Sequence, residues 1–327
     1  MSKISVCILF GGMSPEHKVS LRSAESVLNN MDKEKYEILP VGITMEGQWI
    51  LFGGSDYSML PAGTWDSHPD NCDAAISPVR GQGLLCFEEA GVGQIPLDVV
   101  FPVLHGENGE DGAVQGLMQL AGIPCVGPNV SASAVSMDKT LTKLVIDSAL
   151  IRQAKWHLVR SSEMKSKMDR ILDQVEEKFQ YPVFVKPAGT GSSVGVSKAT
   201  DRESLEKALL EAGKFDEKIL VEEFIHGREI EVAVMGNEEP VASICGEIDS
   251  GADFYDYDAK YLYKNGRTQY FCPVKSLDEK TIGIASEYAM NFYREAGCRD
   301  ILRVDFIVDE NNVPYFLEGN GIPGCTA

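Results

Sequence analysis

A continuous apolar run near the start of the chain constrains the fold more than any other feature. Residues 4–10, ISVCILF, are hydrophobic almost without interruption and end at Gly11 and Gly12. Such a run is typical of a strand buried on both faces, as in a sheet covered by helices on each side. Leu21 and Leu28 then share one stripe of a helical pattern. The stretch therefore predicts a strand, a glycine turn and a helix, the opening of an α/β domain.

The pattern changes along the chain, and the change predicts the domain organisation. A second apolar run at 97–106 leads into another helical pattern, so residues 1–128 are predicted to form an N-terminal α/β domain with a mostly parallel sheet. Later segments alternate strand, turn and strand. They predict two α+β subdomains with mainly antiparallel sheets, a central one at 129–214 and a C-terminal one at 215–327.

Composition excludes several classes of protein. The net charge is −19 over 327 residues, and no basic stripe is visible, which argues against a nucleic-acid partner. No stretch approaches the roughly 20 apolar residues that span a bilayer, so no membrane association is expected. The 8 cysteines show no CxxC spacing, which favours a reducing cytoplasm and no zinc site.

A hairpin near the end of the chain carries unexpected polar residues. In RVDFIVDENNVPYFLEGNGIPG, residues 303–324, a two-residue turn at Asn311 and Asn312 is predicted. That turn places Asp305 opposite Glu318.

The same register has consequences for the rest of the hairpin. It places Arg303 opposite Asn320 on the face of the two acids, and that face continues toward the turn with Ile307 and Phe316. Two carboxylates and an amide oxygen suit Mg²⁺ or Mn²⁺. An exposed, salt-bridged sheet face explains the same residues without a metal.

Two further segments point to a nucleotide. Lys186 ends a strand-like run and precedes a loop of small residues that includes Ser192 and Ser193. The loop lacks the Walker A and GxGxxG spacings but lets backbone N–H groups approach an anion, so a flap over phosphates and a simple hairpin loop are both possible. VEEFIHGREIEV, at 221–232, combines acids with an apolar pair, which fits adenine and ribose recognition or a solvated strand edge.

Polar residues also follow the predicted strands of the first domain. His105 lies at the carboxyl end of an apolar run, where open α/β sheets bind ligands. Glu16 lies at the first strand-to-helix turn, where a plain helix-terminus charge is the alternative explanation.

Taken in order, FGGMSPEHKVSL, HGENGEDG, KPAGTGSSVGVSK, VEEFIHGREIEV, FYDYDAKY, RVDF and EGNGIPG span nearly the whole chain. A chain with these motifs resembles the D-alanine–D-alanine ligases of the ATP-grasp superfamily. The resemblance implies an ATP-dependent ligase that joins two D-alanines through an acyl phosphate, for peptidoglycan synthesis in the cytoplasm. It also implies a homodimer formed through the first domain.

The resemblance also implies a role for each matching residue. Around the amino-acid substrates and the oxyanion it places Glu16, Ser192, Tyr261, His105, Arg303 and the Gly324 amide. Around ATP it places Lys139, Lys186, Ser193, Glu222, Glu223, Ile225, Glu229 and Lys260. Two Mg²⁺ or Mn²⁺ ions are implied at Asp305, Glu318 and Asn320.

The sequence departs from the resembled family in a few places. Gly319 and Gly321 replace a small apolar residue and a Thr or Ser, so the end of the metal hairpin is expected to be looser. Family members continue beyond the equivalent of Ala327 with a segment for the second substrate. We expect an incomplete second subsite if the molecule ends there, and an intact enzyme if the chain is part of a longer protein.

Alternatives are open for the second substrate and for whether the protein is an enzyme. Tyr261 argues against D-lactate as the second substrate, because the lactate-using relatives lack it, whereas D-serine stays open. A non-catalytic nucleotide-binding protein on the same fold is the alternative of a different class.

Overall fold

The computed structural model describes residues 3–191, 194–249 and 269–325. The chain divides into two compact units. The N-terminal unit comprises Met1–Ala134, Cys298–Ile301 and Gly321–Ala327, and the C-terminal unit comprises Val135–Gly297 and Leu302–Asn320. The predicted boundary between 129–214 and 215–327 stays a prediction.

The N-terminal unit is built on one mixed sheet. Its strands are β1 (Ile4–Gly11), β2 (Tyr36–Ile43), β3 (Trp49–Leu51), β4 (Cys72–Ile76), β5 (Leu84–Glu88), β6 (Gly91–Ile95) and β7 (Val99–Pro102). Its helices are α1 (His17–Asn30), α2 (Met59–Ala62) and α3 (Ala113–Ala121), with a 3₁₀ turn at Trp65–Ser67, and α4 (Val130–Met137) crosses the unit boundary.

The prediction of a mostly parallel sheet is wrong. The strand order is β6-β5-β4-β3-β2-β1-β7, and only β1 with β2 and β1 with β7 pair in parallel. The other neighbours, from β2 to β6, pair antiparallel. Short connections explain three of these pairs, β2 with β3, β4 with β5 and β5 with β6, because parallel neighbours need a crossover of about a dozen residues or more, whereas tight turns return the chain antiparallel. The connection from β3 to β4 is longer and contains α2, and that pair is antiparallel as well.

Strand β1 has the two-sided burial that its apolar run predicts. Cys7 and Leu9 belong to the core on one face of the sheet, while Ile8 and Phe10 belong to the core on the other. Helix α1 packs its apolar stripe on the second face, with Leu21 buried there.

The C-terminal unit contains two sheets. Its strands are β8 (Trp156–Arg160), β9 (Val183–Pro187), β10 (Ser197–Ala199), β11 (Lys218–Glu223), β12 (Gly227–Met235), β13 (Val241–Ala242), β14 (Gly246–Asp249), β15 (Gln269–Phe271), β16 (Ile301–Asp309) and β17 (Pro314–Asn320). Its helices are α5 (Lys139–Ser148), α6 (Ser161–Lys178), α7 (Arg202–Ala212) and α8 (Glu279–Glu295).

The first of these sheets has the order β10-β9-β11-β8, and the second runs β15-β14-β12-β16-β17 with β13 paired to β12. The pairings of the first sheet are antiparallel, as predicted. So are β12 with β13 and with β14, β14 with β15, and β16 with β17. Residues Val185, Ile219 and Val221 pack with α6 and α7 in one hydrophobic core. Alternation along β11 turns Leu220 and Glu222 to the other face.

The β16–β17 hairpin confirms the predicted pairs and corrects the predicted turn. Asp305 pairs with Glu318, and Arg303 with Asn320. The register then shifts by one residue after Asp305, so that Leu317 is the extra residue of a β-bulge.

The bulge compensates for a longer turn. The Asp309 N–H donates to the Val313 carbonyl at 3.1 Å, and this pair encloses a three-residue loop, 310–312. Asn312 has φ +60°, and its N–H donates to the Asp309 carbonyl at 3.0 Å. The two-residue turn is therefore wrong, and so is the placement of Phe316 on the face of Ile307. Phe316 instead pairs with Phe306, since burying both rings in the core stabilises the shifted register.

Within the described ranges, none of the helices has the length and apolar character needed to cross a membrane.

Candidate active site

A buried carboxylate lies at the centre of the β16–β17 hairpin. Asp305 is 2% exposed, and the Arg303 guanidinium donates to both of its oxygens, at 2.7 Å from Nε to Oδ1 and 2.8 Å to Oδ2. The Asn320 amide donates to Oδ2 at 2.9 Å. The structure thus brings together three of the four polar residues that the sequence placed on this face, and register places Glu318 directly across from Asp305.

A third acid joins this group from the neighbouring strand β12. Arg303 Nε lies 3.0 Å from Oε1 of Glu231, which the sequence analysis missed. Burial disfavours the charge on Arg303, but Asp305, Glu231 and Glu318 outweigh burial and raise its pKa. Three carboxylates against one guanidinium leave this acidic cluster, Arg303 with Asp305, Glu231 and Glu318, with a surplus of negative charge.

The donor set of the acidic cluster fits a divalent cation. Asp305 and Glu318 would supply carboxylate oxygens from facing strand positions, and Asn320 would supply an amide oxygen. Hard oxygen donors of this kind are what Mg²⁺ and Mn²⁺ prefer. The described parts of the chain hold no group of three or more His, Cys, Asp or Glu side chains placed for a metal.

A second buried ionic group lies on the polar face of the β8–β11 sheet. The Glu222 carboxylate is shared by two lysines, with Oε1 at 2.6 Å from Lys143 Nζ and Oε2 at 2.5 Å from Lys186 Nζ. Lys186 on β9 pairs with Leu220 on β11. Its long side chain therefore reaches Glu222, two residues farther along β11, diagonally across the strands. Glu222 is 4% exposed, and lysines bind both of its carboxylate oxygens. If Glu222 contacts adenine, it therefore does so through its main chain.

Two lysines against one carboxylate give this basic cluster, Lys143, Lys186 and Glu222, a surplus of positive charge. Burial opposes ionisation of Glu222, but the two ammonium groups outweigh it and lower the pKa of Glu222 to about 2. Burial also lowers the pKa of Lys143, and Lys186 adds to that effect against the attraction of Glu222.

Sequence reasoning missed Lys143. A signal was present, because Thr140, Lys143 and Ile146 are spaced three residues apart in α5 and all three are buried. A lysine on the buried stripe of a helix requires a buried acid as its partner, and Glu222 is that acid.

Lys139, the first residue of α5, is held against the segment that follows β9. Its Nζ donates to the Thr190 carbonyl at 2.5 Å, and its backbone N–H donates to the Ala188 carbonyl at 3.0 Å. Asp138 caps the helix by accepting from the N–H groups of Thr140 and Leu141. These contacts place two of the predicted phosphate-binding lysines, Lys139 and Lys186, in the same unit.

The residues predicted for adenine and ribose lie at the end of β11 and on β12. Oε1 of Glu223 accepts from the Lys155 N–H at 2.7 Å. The half-buried Ile225 follows Phe224, whose ring has the Lys198 ammonium 4.2 Å from its centroid. Glu229 lies on β12, paired with Ile248.

In the N-terminal unit, His105 and Glu16 are both buried beside the start of α1. The Ser23 hydroxyl is hydrogen-bonded to His105 Nε2 at 3.1 Å, and the Ser14 hydroxyl donates to the His105 carbonyl at 2.6 Å. Gly106 has φ +75°, a conformation that favours glycine, and Oε2 of Glu16 would lie 2.4 Å from a Cβ built there. The two predicted substrate residues therefore share one polar neighbourhood through Ser14, which also accepts from the Glu16 N–H at 3.2 Å.

The remaining predicted residues divide into two groups. Gly324 is described and exposed. Ser192, Ser193, Lys260 and Tyr261 lie outside the described residues, and their roles stay predictions.

Comparisons with known proteins cover both units. A family described as "D-ala D-ala ligase N-terminus" matches residues 5–128, and one described as "D-ala D-ala ligase C-terminus" matches residues 145–327. The D-alanine–D-alanine ligase of Clostridium acetobutylicum is 44% identical over 326 residues, covering 99% of this chain and 90% of that protein.

Solved structures show the same likeness. The VanG D-Ala:D-Ser ligase from Enterococcus faecalis has a TM-score of 0.86 at 33% identity, with 99% of this chain and 92% of that chain covered. The D-alanine–D-alanine ligase from Coxiella burnetii has a TM-score of 0.82 at 32% identity, with coverages of 99% and 87%.

Proposed function

The chain belongs to the D-alanine–D-alanine ligase family, and from that premise we propose how its residues join two D-alanines at the expense of ATP for peptidoglycan synthesis. Family membership makes it an ATP-dependent ligase that uses a divalent metal. The steps of the reaction, the metal and the residue roles below are proposals.

The proposed reaction has two steps. A carboxylate oxygen of the first D-alanine attacks the γ-phosphorus of ATP, and ADP leaves as the acyl phosphate forms. The amine of the second D-alanine then attacks the acyl carbon, phosphate leaves with the bonding electrons of the C–O bond, and the amine loses a proton. Both steps concentrate negative charge on phosphate or on an oxyanion, so positioned cations are the main catalytic requirement.

The basic cluster supports the phosphate-binding role that we propose for Lys186. The same role is proposed for Lys139, which belongs to the same unit. The surplus positive charge of the basic cluster is fixed in place by ion pairs before any ligand arrives, so little reorganisation is needed when phosphate binds. Glu223, Ile225 and the main chain of Glu222 are proposed to contact adenine, and Glu229 the ribose. Ser193 and Lys260 complete the proposed ATP set.

The acidic cluster supports the metal proposal. Asp305, Glu318 and Asn320 would hold two Mg²⁺ ions, or Mn²⁺, and a bound ion neutralises charge on the transferring phosphoryl group. Arg303, which donates to Asp305, has N–H groups suited to an oxyanion, and the Gly324 amide is proposed as a second donor.

The remaining substrate roles rest on family resemblance together with local geometry. Glu16 is proposed to hold the ammonium group of the first D-alanine, with Ser192 and Tyr261 hydrogen-bonded around it and His105 beside it. We also propose a cytoplasmic homodimer.

The single observation that carries the proposal is the register of β16 and β17, because it pairs Asp305 with Glu318 in a protein of this family. The test is ADP release by the purified full-length protein with ATP, Mg²⁺ and D-alanine, with each component omitted in turn. We expect release only when all three are present. Release without dependence on D-alanine, or none at all while nucleotide still binds, would favour a nucleotide-binding protein without ligase activity.

D-Serine is the second candidate acceptor, because one structural neighbour is a D-Ala:D-Ser ligase. Competition between D-alanine and D-serine, with the dipeptides separated by chromatography, decides between them. We expect D-alanyl-D-alanine to dominate, and an excess of D-alanyl-D-serine would reassign the second substrate.

A further inference from the structure

The side chain of Lys143 enters the basic cluster from α5, opposite the strands that carry its partners. It is 3% exposed and lies 2.6 Å from Glu222 Oε1, while Lys186 takes the other oxygen at 2.5 Å. The carboxylate is therefore divided between Lys186, which is proposed to bind phosphate, and the more deeply buried Lys143.

The charges explain why two lysines are needed. If Glu222 were paired with Lys186 alone, the pair would be neutral, and an anion approaching Lys186 would also meet the carboxylate 2.5 Å behind it. With Lys143 on the second oxygen, Glu222 is neutralised from the buried side. The charge of Lys186 is then free to act on phosphate, and it acts strongly because the surroundings exclude water.

Stability alone is a poor reason for this arrangement. Burying the ionised Lys143 and Glu222 carries a large desolvation cost, and well-packed apolar side chains often replace buried ion pairs without loss of stability. On the opposite face of β11, the apolar side chains of Ile219 and Val221 pack in a hydrophobic core.

We propose that Lys143 is a positioning residue for nucleotide binding: it neutralises Glu222 so that Lys186 presents an uncompensated positive charge to the phosphates of ATP. This inference rests on the proposed function for the identity of the ligand. Lys143 touches neither substrate nor reacting atoms, and it acts through Glu222 and Lys186.

The test compares the wild-type full-length protein with Lys143→Met, Glu222→Gln and the double variant. Calorimetry measures the Kd for ADP with Mg²⁺, and steady-state assays measure KM for ATP and for D-alanine. Lys143→Met leaves Glu222 against Lys186 alone, so we expect ADP binding to weaken about tenfold or more. KM for ATP should rise in parallel, while KM for D-alanine stays within about twofold.

The double variant provides the rescue. Lys143→Met together with Glu222→Gln removes one positive and one negative charge, which leaves Lys186 with its surplus charge. We expect its Kd for ADP to return to within about threefold of wild type. A merely structural role for Lys143 predicts instead that Lys143→Met changes the melting temperature while the Kd of the folded protein for ADP stays at the wild-type value.

The matched control is Val221→Ala on the same strand. It removes apolar packing on the opposite face, so it should lower the melting temperature without changing the Kd for ADP. If Lys143→Met binds ADP as tightly as wild type, or if the folded double variant binds it tenfold more weakly, the inference is wrong. The double variant decides the question even if Lys143→Met does not fold.

The two proposals fail in different ways. If the wild-type protein binds added ADP but forms no ADP from ATP in the presence of D-alanine, the ligase proposal is contradicted. The Kd values for ADP still test the role of Lys143 in that case. An active wild type with an unaffected Lys143→Met variant contradicts only the inference about Lys143.

Discussion

The basic cluster on the β8–β11 sheet and the acidic cluster on the β16–β17 hairpin are built to the same plan with opposite sign. In each, a central ion of one sign is shared by more numerous partners of the other sign: Glu222 by Lys143 and Lys186, Arg303 by Asp305 and Glu231. Each cluster is thereby held in place and still carries surplus charge. The sign of that surplus matches the ligand proposed for it, phosphate for the first and a divalent cation for the second.

The difference between the clusters lies in how each is supported. The basic cluster spans a helix and two strands, so tertiary packing assembles it. Most of the acidic cluster lies on one hairpin, so strand register assembles it. Removing single charges tests this comparison.

The largest effect is expected from Asp305→Asn, which removes one negative charge from the centre of the acidic cluster. We expect kcat for D-alanine-dependent ADP release to fall by roughly 100- to 1,000-fold, because the proposed cation loses a carboxylate ligand. Excess Mg²⁺ should recover part of the loss. Glu310→Gln, at an exposed position of the hairpin turn, is the control and should retain wild-type activity. Full activity in Asp305→Asn would remove the metal role from this cluster.

Glu222→Gln tests the basic cluster through the pH dependence of stability. The pKa of Glu222 is lowered in the folded protein to about 2 from an ordinary value of 4.5. Its contribution is therefore complete above pH 4.5 and is lost as the pH falls through 2. The difference corresponds to about 3 kcal/mol of unfolding free energy.

Urea unfolding at a series of pH values measures that contribution. We expect the wild type to lose about 3 kcal/mol more than Glu222→Gln between pH 4.5 and 2. Glu206→Gln, at an exposed position of α7, is the control and should follow the wild-type curve. Parallel curves for wild type and Glu222→Gln would show that the two lysines do not stabilise the carboxylate.

The smallest effect concerns the packed face behind the acidic cluster. A Cβ at Gly319 would lie 2.6 Å from Cε1 of the buried Phe292. The Phe292 ring packs against that of Phe316, with 4.7 Å between the ring centroids. Gly319→Ala should therefore destabilise the protein by about 1–3 kcal/mol in thermal or urea unfolding. The glycine makes this end of the hairpin closely packed, in contrast to the looser end that the sequence led us to expect.

Gly283→Ala is the matched control for this effect. It changes a glycine in the interior of α8 where a Cβ meets nothing within 4 Å. It should stabilise the helix by about 0.5–1 kcal/mol. If both variants have the same stability, Phe292 moves aside without cost and the packing argument fails.

The sequence predicted local features well where a short-range pattern defines them. The two-sided burial of β1 and the pairing of Asp305 with Glu318 are confirmed, because both follow from period-2 alternation. The pairing was nevertheless predicted with the wrong turn. A three-residue loop and a bulge at Leu317 shift the register in opposite directions, so their effects cancel at Asp305.

The parallel sheet was predicted wrongly for a related reason. An apolar strand followed by a helix indicates parallel neighbours, and β1 has them on both sides. The short strands β3 to β6 carry no such signal, and their order depends on the turns between them.

By itself, the sequence determined the chemistry that the molecule carries: the order of its motifs, the family to which it belongs, and the acids and lysines available at each strand end. Only the tertiary structure decided which of those charges meet. Lys143 and Glu222 are far apart in the chain and lie 2.6 Å from each other in the fold. The physical reason is that alternation and helical spacing tell which face a side chain takes, whereas its partner depends on which other element packs on that face.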